Sequence, residues 1–111
     1  MRTSVVLADN NPFELLALGD ALRMHGVTVV GEAESTELAQ SLVDKLHPDA
    51  AIVNISLDGP SGIELCNGLR KSKPDIGIVI ITDCPNLRLI GVDQKSFPVG
   101  AQVILKKSVA N

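Results

Sequence analysis

The sequence predicts an α/β fold, a doubly wound parallel sheet with helices on both faces. Three observations carry that expectation. Five short segments rich in Val and Ile alternate with segments of helical spacing. Most of the five lack polar alternation, as strands buried on both sides do. The helical segments between them carry start and stop signals in their own residues.

Taken in order, SVVLA (4–8) is the first strand. Asn11, Pro12 and Glu14 then read as an N-cap, a proline at the first helical position and a first-turn carboxylate. Leu15, Leu18 and Leu22 share one face of that helix, and Gly26 stops it. VTVVGEA (27–33) is the second strand. A second helix starts near Ser35, sets Leu38, Leu42 and Leu46 on a stripe, and ends before Pro48. AAIVN (50–54) is the third strand, and Ser61 with Glu64 has capping-box spacing for a third helix. That helix buries Leu65 and Leu69 and ends before Pro74. IGIVIIT (76–82) and AQVIL (101–105) complete the strands.

Between the last two strands the pattern degrades. DCPNLRLIGVDQKSFPVG (83–100) holds two prolines and two glycines, with an apolar cluster only at 87–90, so a full fourth helix is not expected. After the fifth strand KKSVAN is too short for a covering helix, which leaves one sheet face partly bare unless another chain covers it.

The 111 residues are expected to form one domain over 1–108, with 109–111 the start of a linker or tail. An apolar share of 45% supports a real core, and with 2% aromatic residues that core is aliphatic. A net charge of -3 and a pI near 5.2 remove the electrostatic drive for direct nucleic-acid contact. The chain has no signal peptide or membrane-length apolar run, so a cytoplasmic location is expected. Cys66 and Cys84 lack metal-site spacing and read as separate reduced thiols. His25 and His47 fall at helix C-termini and read as structural.

In an open parallel sheet, ligands sit outside the carboxyl ends of the strands. The residues there are Asp9, Asn10 and Asn11 after the first strand, 54–58 after the third, Thr82 and Asp83 after the fourth, and Lys106 and Lys107 after the fifth. Singly each has a plain structural reading. Asp9 favours a helix N-terminus, Thr82 suits a strand end, Lys107 suits a solvated tail, and Asp58 sits in a turn before Gly59 and Pro60.

Together and in this order they resemble the receiver domain of two-component response regulators, over about 3–108. ADNNPFELLALGDALRMHG is similar to receivers that precede a helix-turn-helix output domain. The resemblance implies a flavodoxin-like five-stranded sheet of order 2-1-3-4-5, and with it a degenerate fourth helix and no fifth helix in this chain. It matches Asp9 and Asn10 to the acidic pair that holds magnesium, and Asn54 to the phosphoacceptor aspartate. Thr82 matches the switch hydroxyl, Ile104 the switch aromatic, and Lys107 the pocket lysine. Three of these positions depart from the pattern: Asn10, Asn54 and Ile104.

An amide has no nucleophile comparable to a carboxylate oxygen, so phosphorylation at 54 is not expected. Magnesium wants anionic oxygen, and only Asp9 remains of three carboxylates, so metal binding is absent or weak and no cofactor is expected. The pocket should be stable without metal, with Asp9 and Lys107 paired directly or through Asn54. Such an exposed pair would contribute about 0–1 kcal/mol.

The sequence therefore suggests a non-enzymatic regulatory receiver of a transcriptional regulator. A homodimer, a C-terminal DNA-binding output domain in the parent protein, and a regulatory protein or small ligand are the expected partners. One alternative is a conventional receiver in which Asn54 was introduced to lock the inactive state. Another is a flavodoxin-like cofactor domain, disfavoured because the loop after the first strand has no Gly-rich or Ser/Thr-rich cradle.

Overall fold

The computed structural model describes residues 3–54, 61–82 and 102–105. It contains β1 (Ser4–Ala8), α1 (Pro12–Met24), β2 (Thr28–Ala33), α2 (Thr36–Leu46), β3 (Ala50–Asn54), α3 (Ser61–Ser72), β4 (Gly77–Thr82) and β5 (Gln102–Leu105). The strands form one parallel sheet in the order β2-β1-β3-β4-β5. The expected fourth-helix region and the tail after β5 lie outside the described residues.

Strand alternation divides the core between the two faces. Val6, Ala8, Ala51, Val53, Ile78 and Ile80 point to the side covered by α2 and α3, where they meet Ala39, Val43, Leu65, Cys66 and Leu69. Val5, Leu7, Ile52 and Ile81 point to the side of α1 and meet Leu15, with Leu18 and Leu22 beside them. Burying each large aliphatic side chain contributes about 1.5–3 kcal/mol. On the α1 face the strand residues Val5, Leu7, Ile52 and Ile81 are buried, whereas Val29, Ala50 and Val79 are half-buried.

The helix ends explain themselves. Asn11 is extended, and its side-chain oxygen accepts from the N–H groups of Phe13 (2.9 Å) and Glu14 (3.3 Å), with Pro12 opening the helix behind it. Ser35 caps α2 through Leu38 N–H. Gly26, at φ 83°, takes the left-handed turn that ends α1. His47 ends α2 in the same region at φ 48°, and its Nδ1 accepts from Lys73 Nζ at 2.9 Å. Both histidines are thus C-terminal caps. The third helix is described from Ser61 onward, with Glu64 in its first turn.

Two packing expectations need correction. Only part of the leucine stripe of α2 faces the core: Ala39 and Val43 are buried there and Leu42 packs against them, while Leu38 and Leu46 stay about half exposed. Small Ala39 lets the helix approach the sheet, and Leu42 and Leu46 lean over Gly31 at the edge strand. Nor is β2 buried on both sides. It is the edge strand, and its pairing with β1 slips between Val5 and Val6, so that Val5 lies opposite Val29 and Val6 opposite Gly31. Val30 is the extra residue and is exposed. The bulge also resets the alternation, turning Val29 to α1 but Gly31 and Ala33 to α2.

Candidate functional site

Asp9 follows β1 at the carboxyl edge of the sheet, between α1 and the loop that leads into it. Its backbone N–H donates to Ala33 C=O at 3.0 Å, which ties it to the end of β2. Its Oδ1 accepts the N–H of Asn11 at 2.9 Å, a local turn that sets the cap of α1. Asp9 is 5% exposed. It is therefore a buried acid, not the exposed member of an ion pair that the sequence suggested.

Asn54 ends β3, the strand paired with β1, and is 4% exposed. Its Nδ2 donates to Asp9 Oδ2 at 2.9 Å and faces Glu14 Oε2 at 3.4 Å. The two carboxylates fix the amide's orientation, because the carbonyl oxygen in the same place would meet negative charge from both. Asn54 thus links the ends of β1 and β3 to the first turn of α1.

Glu14 is the member that sequence reasoning left as a plain first-turn carboxylate. A glutamate three residues after an N-cap ordinarily reaches back to the cap's own N–H. Here that N–H is taken by Asp9, and Glu14 turns to Asn54 instead. The signal was in the sequence: an acidic residue two before the cap competes for the same donor.

Asn10 departs from Asp9 and is exposed. The backbone of Ile81 lies opposite Asn54 on one side and Ile104 on the other, and Thr82 ends β4 opposite Leu105. The main chain thereby brings Thr82 and Ile104 to the rim that holds Asn54. Asp58, Asp83, Cys84, Lys106 and Lys107 lie outside the described residues. Cys66 is a free thiol in the core, and burial pushes its pKa up to about 12.

Among the described residues no three His, Cys, Asp or Glu side chains gather for a metal. The position beside Asp9 that a cation would need is held by the Nδ2 of Asn54, a donor rather than an oxygen ligand. Beside this polar cluster a cavity of about 220 Å³ opens between α1 and the sheet, with Leu7, Leu15, Leu18, Ile52 and Ile81 around it and Asp9, Glu14 and Asn54 at its polar end.

Comparison with known proteins agrees with the fold. The family model of the response regulator receiver domain matches residues 5–111. The response regulator GacA of Pseudomonas aeruginosa is 34% identical over 61 residues, which are 55% of this chain and 28% of that protein. The DNA-binding transcriptional activator DevR/DosR of Mycobacterium tuberculosis is 41% identical over 54 residues, 49% of this chain and 25% of that protein. These matches span about a quarter of each relative's length. The crystal structure of a LuxR-family two-component response regulator from Aurantimonas sp. superposes with a TM-score of 0.81 at 25% identity, covering 96% of this chain and 75% of that one. Among the described residues no helix is long and apolar enough to cross a membrane. With matching topology and a family match across nearly its whole length, the chain belongs to the response regulator receiver domain family.

Proposed function

We propose that this chain is a non-catalytic, cytoplasmic receiver module of a transcriptional response regulator, and that it is not switched by aspartyl phosphorylation. The observation that carries the reading is the buried amide of Asn54, donating to Asp9 where the family resemblance puts the phosphoacceptor. An amide nitrogen shares its lone pair with the carbonyl, so it is no nucleophile toward phosphorus. An incoming phosphoryl group would also meet Asp9 and Glu14 without a metal to offset the charge.

The family's frame is retained while its chemistry is replaced. In a phosphorylated receiver, clustered carboxylates need a cation. In this chain Asn54 supplies a donor to both carboxylates, which supports a pocket that needs no cation. The DNA-binding activator among its relatives supports a C-terminal DNA-binding output domain in the parent protein. A partner protein, dimerisation or a small ligand would then set the state of the module.

Incubation with acetyl phosphate and magnesium, followed by intact mass and peptide mapping, tests this. The expected result is no acid-labile phosphoryl adduct, with Asn54→Asp run alongside under the same conditions. An adduct on the wild-type chain that maps to the rim would overturn the proposal.

A further inference from the structure

The side of α1 turned away from the sheet is apolar, unlike that of α2. In α2 the residues on the outward side include Glu37, Asp44 and Lys45, all exposed. In α1 the buried side holds Leu15 and Gly19, and the opposite side carries Phe13, Leu16 and Met24, which are 81%, 59% and 83% exposed. Positions 13, 16, 20 and 24 share one helical face. A helix that is apolar on both sides is ordinarily covered on both. This outer face is not the flank that borders the cavity, which is lined by Glu14, Leu18 and Ala21, and on the other flank Arg23 reaches Glu32 of β2 at 3.3 Å.

Symmetry and area point to a second copy of the chain as its occupant. Phe13 and Met24 stand at opposite ends of the face, three turns and about 16 Å apart. A two-fold axis beside the middle of α1 therefore brings Phe13 of each copy opposite Met24 of the other, and an aromatic ring against a thioether is a favourable contact. Such self-complementarity is what an isologous interface requires. Asp20, the acid on this face, has Arg23 at 3.8 Å, so its charge has a partner. At about 200 Å² for each large side chain, the three exposed ones would remove about 450 Å² per copy and about 900 Å² per pair, the size of a weak, transient interface.

We propose that the outer face of α1 is a self-association surface, on which a second copy of the chain docks antiparallel with Phe13 against Met24 at both ends. The surface uses none of the polar residues of the rim, and it gives dimerisation a defined place on this chain.

Sedimentation equilibrium of the 111-residue chain from about 10 μM to about 1 mM tests the proposal. A monomer–dimer equilibrium is expected within that range. Phe13→Glu and Met24→Lys should each weaken it at least about tenfold, with far-UV circular dichroism unchanged because both side chains are exposed. Mixing the two variants should restore a dimer of one copy of each, since the new carboxylate then faces the new ammonium at one end while the native Phe13 and Met24 still meet at the other. A chain that stays monomeric to about 1 mM, an association that survives both variants, or a mixture no tighter than either variant alone would overturn the proposal. Acetyl phosphate and magnesium read a separate outcome: a phosphoryl adduct sinks the proposed function and leaves this surface standing, whereas a monomer without an adduct sinks this inference alone.

Discussion

Replacing Asn54 by aspartate should destabilise the chain in the absence of divalent metal, although it restores the acid expected of a receiver. The substitution removes the 2.9 Å hydrogen bond to Asp9, a bond to a charged group worth about 1.5–3 kcal/mol. It also sets a second carboxylate against Asp9 and near Glu14. At a relaxed separation of about 4 Å and an effective dielectric of about 20, one such pair costs about 4 kcal/mol. Both residues are at least nine-tenths buried, so solvent screens little of it. Retaining a proton on one carboxyl limits the penalty, and the expected loss at neutral pH is about 3 kcal/mol. The sign follows from the raised pKa of the new acid: the penalty is absent while it is protonated and grows as pH rises. Urea unfolding followed by far-UV circular dichroism in a chelator measures it, and magnesium should recover much of it in the variant but not in the wild type. A loss within about 0.5 kcal/mol, the range of an inert surface change, with no response to magnesium, would refute the reasoning.

Two further outcomes follow from the described contacts. Asn11→Ala removes the acceptor for Phe13 and Glu14 N–H and should cost about 0.5–2 kcal/mol in urea unfolding; Asn11→Ser, which can still cap, should cost less. Cys66 keeps its proton in the fold to about pH 12 but loses it from about pH 9 when unfolded, so its contribution is complete below pH 9 and is lost as pH rises toward 12. The alkaline fall in stability should therefore be steeper for the wild type than for Cys66→Ala, and a thiol reagent should label Cys66 only after denaturant is added.

Much of the fold was legible because its signals are local. Asn11-Pro12 and Ser35 name their own helix starts, and Val/Ile runs without polar alternation name the central strands. What the sequence misread depends on neighbours in space. The Leu38, Leu42 and Leu46 stripe has helical period, but Ala39 and Val43 take the place nearest the sheet, which leaves Leu42 at the margin of the core and Leu38 and Leu46 half exposed. The bulge at Val30 leaves no trace in a run of β-branched residues, since each of them suits a strand on either face.

The site divides in the same way. The convergence of Asp9 and Asn54 follows from strand order, because residues ending adjacent parallel strands must meet. The burial of Asp9 and the turn of Glu14 toward Asn54 do not follow from it. Both depend on which acceptor wins the Asn11 N–H, a competition between Asp9 and Glu14.

Asn54 donates its amide to Asp9 at the position that the resemblance gives to the phosphoacceptor. The most direct measurement is the NMR signal of the Asn54 side-chain amide during a magnesium titration. The account predicts hydrogen-bonded Nδ2 protons, slow to exchange with solvent, that stay unmoved as magnesium is added. Saturable shifts of that amide, with Asp9 responding at the same concentrations, would show a cation taking the position and would contradict it.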